Sequence, residues 1–140
     1  MIRKKEVIRI RVPFPTVSSQ LALQAHMYIC KRSETPEYEY VKCQRLKPYM
    51  IYNSNMLHYV DEVPDTNRNP FVSPSRIDCD KVFATHTVEY HEDLRTTIRT
   101  DVCEDLYRDI LAEVNLDGYA TVTLDEEELK RLNIKVTAAS

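Results

Sequence analysis

The chain has a single glycine, Gly118, among 140 residues, and this scarcity excludes the glycine-rich loops that cradle phosphates in nucleotide-binding enzymes. Chain reversals must rely on proline, asparagine, aspartate and serine instead, as in Tyr52-Asn53-Ser54-Asn55 and Asp65-Thr66-Asn67-Arg68-Asn69-Pro70. Long hydrophobic runs are also missing. The stretch Leu21 to Cys30 is interrupted by Gln24 and His26 and is about half the ~20 residues a membrane helix needs, so no membrane partner is expected. Four cysteines, Cys30, Cys43, Cys79 and Cys103, contain no CxxC pair, so neither a zinc site nor a redox dithiol is spelled locally, and no metal or other cofactor is expected. They read as free thiols in a reducing cytoplasm, with a disulfide or an assembled metal site as the alternative. No Ser-His-Asp order, HExxH or EF-hand pattern is present, which sets those enzyme classes aside.

What is present is ordinary for a packed domain: 43% hydrophobic and 29% charged residues, at a length that suits one core. The start, Met1 to Val12, is basic and alternates charged with β-branched residues. It lacks the apolar core of a secretion signal, so the expected compartment is the cytoplasm. The net charge of -3 argues against a protein that coats nucleic acid generally. Its charges are nonetheless segregated: Arg3, Lys4, Lys5, Arg9 and Arg11 make the start basic, and Asp101 to Glu128 is rich in acids. Two solvated faces of opposite sign account for this, and a basic strand can also meet phosphate.

Period-2 alternation in Val7 to Val12, with Ile8, Ile10 and Val12 on one side, predicts a half-buried first strand. Pro13 to Gln20 reads as a loop, and Leu21 to Cys30 as a second strand with an apolar face. Tyr38 to Leu46, Met50 to Tyr52, Val82 to Val88 and Leu94 to Arg99 are predicted as further strands. Between them, Val63 to Ser75 with its three prolines reads as a long surface loop. Asp101 and Glu104 have capping-box spacing, and Val102, Leu106, Ile110 and Val114 recur every fourth residue, predicting a helix over 101–114. Tyr119 to Leu124 reads as a strand and Asp125 to Leu132 as a short amphipathic helix. The expected fold is α+β, mainly β: a small SH3-like coiled β-barrel over 1–114 with its helix, and a C-terminal extension, 115–140, packed on the same domain.

The proline-bearing loop after Val12-Pro13-Phe14-Pro15, the apolar strand Leu21 to Cys30, the segment Ser75 to Thr85 and the late helix resemble the PemK/MazF growth-inhibitor family, the plasmid-maintenance toxin fold. The resemblance covers about Val7 to Val114. It implies a dimeric, metal-independent endoribonuclease that cuts single-stranded RNA and is silenced by an antitoxin peptide lying across its active face. The chemistry calls for a group that deprotonates the RNA 2'-hydroxyl and a cation that neutralises the scissile phosphate. The chain departs from the family at both places. Gln24 stands where an arginine is expected and cannot supply its fixed charge. No hydroxyl residue stands in Gln44 to Lys47, where the family has Thr-Ser. The expected function is therefore a divergent toxin-fold protein, part of a toxin-antitoxin-type system. It would bind RNA or a protein partner with its ribonuclease activity lost or altered; the alternative is a non-catalytic protein-interaction module.

Within that reading the candidate catalytic residues are His26, Arg45 and Ser75. His26 shares a strand face with Gln24 and has an ordinary pKa of about 6.5. Arg45 can approach from a neighbouring strand to replace the lost arginine. Ser75 follows Pro74, where it equally suits a turn. The candidate RNA-binding residues are Gln24, Lys42, Lys47, Arg76 and Tyr40. Tyrosines Tyr38, Tyr40, Tyr49, Tyr52 and Tyr59, interleaved with Lys42, Arg45 and Lys47, form a segment able to stack unpaired bases or simply to pack strands.

Overall fold

The computed structural model describes residues 1–13, 24–52 and 55–140. The loop and early-strand expectations for 14–23 lie outside the described residues. Strands β1 (Val7–Ile10), β2 (His26–Glu34) and β3 (Glu37–Arg45) form an antiparallel meander, with Val7 opposite Ile29 and Met27 opposite Cys43. The far edge of β3 is shared by two strands in tandem. β5 (Ser75–Asp78) pairs with its C-terminal half and β6 (Lys81–Thr85) with its N-terminal half. β4 (Tyr59–Glu62) adds outside β5, and β8 (Ala120–Thr123) lies parallel outside β6. A separate ribbon joins β7 (Val88–Tyr90) to β9 (Val136–Ala138).

Alternation along the central strands supplies both faces of the sheet with apolar side chains, and each face builds its own core. On one face Val7, Ile29, Val41, Cys43, Ile77 and Val82 pack against Leu106, Tyr107, Ile110 and Val114 of α2 (Glu104–Asn115). On the other, Ile8, Ile10, Tyr28, Cys30, Tyr40 and Phe83 meet Val88 and Tyr90 of β7, Val136 of β9 and Leu129 of α3 (Glu126–Leu132). The sheet is thus sandwiched, and the fold is α+β, mainly antiparallel strand. Among the described residues it does not close into a barrel. Among the described residues the outer edge of β1 meets two isolated bridges, Glu6 to Asp101 and Ile8 to Arg95.

Several local expectations are corrected. The helix begins at Glu104, not 101, because the Cys103 thiol accepts the Leu106 N–H at 3.4 Å. Asp101 instead accepts from Arg99 Nε at 2.9 Å. Met50 to Tyr52 belongs to a short helix, α1 (Pro48–Tyr52), since Pro48 has the fixed φ suited to a first helical position. Leu94 to Arg99 is not a strand. A 3-10 turn at Glu92–Leu94 precedes a segment in which Thr96 uses its N–H on Val7 O (3.0 Å) and its hydroxyl on Arg99 O (2.6 Å). The strand expected over Val82 to Val88 breaks at His86 and Thr87, whose N–H groups donate to the Glu126 carboxylate at 3.0 and 2.8 Å, and the chain passes into the second ribbon. Within the expected loop of 63–75, Asn69, Pro70 and Phe71 are buried.

The two ends of the chain are interlocked. Asn133 accepts from Arg11 N at 2.8 Å and donates to Arg11 O at 2.7 Å, a side-chain mimic of strand pairing that holds the chain where it leaves β1.

Candidate functional site

Antiparallel register brings the start of β2, the end of β3 and the start of β5 to one end of the sheet. His26 and Met27 begin β2, Gln44 and Arg45 end β3, and Ser75, directly opposite Arg45, begins β5. Arg9 of β1 stands opposite Met27. These side chains, with Phe71, Val72 and Ser73, line an open groove of about 190 Å³. His26, Arg45 and Ser75, separated by up to 49 positions in sequence, therefore share one site, and Arg9 joins them.

The site's electrostatics are cationic. The pKa of His26 is lowered by burial and by the positive charges of Lys42, Lys47 and Arg9, so its imidazole is neutral at pH 7 and able to accept a proton. Lys42, half-buried, is also pushed down by burial and by Lys81, against the opposing pull of Asp78. Arg45, Lys47 and Arg9 are exposed and have no carboxylate partner among the described residues. Ser75 is buried, and its hydroxyl donates to Ser73 O at 2.9 Å. Gln24 is exposed beside the groove's His26 end.

Two candidate RNA contacts are placed elsewhere. Arg76 is only 3% exposed. Its Nε and Nη2 grip Asp61 at 2.7 and 2.8 Å, Nη1 donates to Met50 O at 2.8 Å, and the guanidinium lies 3.7 Å from the centre of the Tyr59 ring. All its recognition capacity is spent inside the fold. Tyr40 is 1% exposed, packed edge-on against Tyr90 and stacked with Tyr38, because even-numbered β3 positions face the aromatic core. Its hydroxyl and that of Tyr28 are buried without a hydrogen-bond partner, and burial raises both far above the usual phenol range. Of the tyrosines proposed for base stacking, Tyr49 and Tyr59 are exposed, and Tyr59 is covered by Arg76.

A second polar cluster lies at the β5–β6 break. The Asp80 carboxylate accepts from Leu57 N at 2.8 Å and His58 N at 3.0 Å, and contacts His58 Nδ1 at 3.0 Å. His58 Nε2 reaches Asp117 at 2.8 Å. These two carboxylates raise the pKa of His58 through hydrogen bonding to Asp80 first and Asp117 second. Among the described residues no group of His, Cys, Asp and Glu is arranged to hold a metal ion. The cysteines are unpaired thiols; burial pushes Cys30 and Cys79 up to about 12. No helix among the described residues is long and apolar enough to cross a membrane.

Sequence reasoning named Arg9 only as part of a basic strand and missed Met27, Phe71, Val72 and Ser73, because only the pairing register shows which residues meet at a sheet's end. Compared with known proteins, the chain matches no family model, no curated protein and no solved structure. Fold and site together describe a mainly β, α+β protein with a cationic groove at one end of its sheet.

Proposed function

We propose that this groove binds the phosphates of single-stranded RNA, on a divergent PemK/MazF-like scaffold whose ribonuclease activity is lost or altered. The observation that carries the reading is the partition of charge. In a chain of net charge -3, carboxylates engage Lys5, Lys31, Arg32, Arg68, Arg76, Arg95, Arg99, Arg108, Lys130, Arg131 and Lys135. Arg9 and Arg45, which line the groove, and Lys47, whose charge is felt at His26, are left without one among the described residues, as are Arg3, Lys4 and Lys81 away from it. Unspent cations gathered in a concave site attract a polyanion. His26, neutral and half-buried, is suited to accept a 2'-hydroxyl proton, and Arg9 or Arg45 to neutralise phosphate charge. With the Ser75 hydroxyl engaged on Ser73 O, the groove lacks a second proton-transfer group among the described residues. This favours binding over fast cleavage. On this reading the open run β1-β2-β3-β5-β4 is the part shared with an SH3-like barrel. A homodimer in the cytoplasm and an acidic, antitoxin-like peptide competing for the groove belong to the same proposal.

Fluorescence anisotropy with a mixed single-stranded RNA pool tests it. Arg45→Ala and Arg9→Ala are each expected to weaken binding several-fold and to reduce the slope of log affinity against log salt by about one. Absence of salt-sensitive binding by the unaltered chain sinks the proposal. That outcome would favour the protein-interaction module instead, for which Tyr49 and Ile51 of α1, each 60% exposed, and Leu57, 82% exposed, offer apolar contact.

A further inference from the structure

The sheet ends on β4, and the outer side of that strand is open. The Cys79 N–H donates to His58 O at 3.0 Å, and Val60 stands opposite Ile77. His58, Val60 and Glu62 therefore turn their main-chain groups toward β5, and Tyr59 and Asp61 turn theirs outward. Those outward N–H and C=O groups have no hydrogen-bond partner among the described residues. Exposure alternates without a break from Asn55 to Val63, odd positions exposed and even positions half-buried, so the edge is extended over more than β4 itself.

Sheet edges of this kind are commonly guarded by charged side chains. Here the two acids of β4 are already engaged, Asp61 by Arg76 at 2.7 Å and Glu62 by Arg68 at 2.6 Å. The flanks of the edge differ in chemistry. On the face of Tyr59, whose ring lies under the Arg76 guanidinium, Leu57 and Val63 add exposed apolar surface. On the opposite face α2 runs beside β4. Asp109 and Glu113, one turn apart on α2, lie on its β4 side: the charge of Asp109 is felt at Arg68 and that of Glu113 at Cys79. Neither forms a salt bridge among the described residues.

We propose that the β4 edge accepts an extended segment of a partner protein in which apolar and basic residues alternate. Main-chain bonds to Tyr59 and Asp61 would add the segment as a further strand, and its side chains would point alternately to the two faces. Apolar ones then meet Leu57, Tyr59 and Val63, and basic ones meet Asp109 and Glu113. A second copy of β4 fits poorly, because it brings the acids of both copies together. Pro64 ends the edge, which keeps the docked segment short. No residue of β4 lines the cationic groove, so this interaction stands apart from the RNA reading.

The test uses three labelled ten-residue peptides on the full chain, followed by fluorescence anisotropy. One alternates valine and lysine, one has the same residues in two blocks, and one alternates valine and glutamate. The first is expected to bind about tenfold more tightly than either of the others. It should also slow hydrogen exchange at the Tyr59 and Asp61 amides and leave that of Val60 unchanged. In the double variant Asp109→Asn, Glu113→Gln, the preference for lysine over glutamate should disappear. Tyr59→Pro, which removes an outward N–H that β5 does not use, should weaken binding at least tenfold. Equal binding of the three peptides, unchanged exchange at Tyr59 and Asp61, or a lysine preference kept by the double variant overturns the proposal. If those two amides become protected as protein concentration rises without peptide, a second copy fills the edge and the proposal also fails.

Discussion

Arg76 and Arg45 sit on paired strands within one residue of facing each other, Arg76 opposite Gln44 and Arg45 opposite Ser75, yet they have opposite fates. Arg76 points into a closed cluster in which a carboxylate, a carbonyl and a ring take up its planar guanidinium. Arg45 lines the groove, where no acid among the described residues answers it. The role of a cation in this protein follows from whether the fold has already supplied its partner, and residue type does not decide it.

The largest effect expected from breaking this contrast is on stability. Arg76→Ala leaves Asp61, Met50 O and the Tyr59 face without their partner. Asp61 is 39% exposed and can regain water, so the loss should be about 2 to 3 kcal/mol in urea melts, less than the ~3–5 of a fully buried pair. Arg45→Ala should stay within about 0.5 kcal/mol of the parent. Equal losses for the two would erase the distinction.

The histidines extend the contrast to pH, with opposite signs. The folded pKa of His58 is raised above its unfolded value of about 6.5, so its contribution is full below pH 6.5 and is lost as pH rises through the folded value. The folded pKa of His26 is lowered, so the unfolded chain binds more protons as pH falls below about 6.5, and stability declines there. Urea midpoints between pH 5 and 8 should show His58→Gln losing stability mainly at the acid end. His26→Gln should remove part of the parent's acid-side decline. A His26→Gln curve parallel to the parent's would place the imidazole in open solvent.

The smallest effect is expected at Arg131, whose contact with Glu128 one turn away on α3 is exposed. Arg131→Ala should leave the urea midpoint unchanged, since exposed pairs of this kind contribute little.

The regular elements were legible wherever one face was apolar. Val7 to Val12 by alternation, and Leu106, Ile110 and Val114 by fourfold spacing, both marked their elements. The strands β4 and β5 were not read as such, because Ser75, Arg76, Ile77 and Asp78 are all buried although two are charged. A strand that buries charged side chains beside apolar ones has no hydrophobic period to detect. Met50 to Tyr52 misled because three apolar or aromatic residues suit a strand by propensity, while Pro48 sets a helical turn. At the site, His26, Arg45 and Ser75 were identifiable by chemical type. Their convergence depends on register, and the freedom of Arg9 depends on which acids the fold assigns to other cations. Neither can be read along the chain.

The clasp between Asn133 and Arg11 spans 122 residues, and a contact of such separation forms only once the long loop between its partners has closed. The path of the segment that leaves β1 is therefore set by a residue remote in sequence, and its geometry depends on the whole stretch of chain folded between the two.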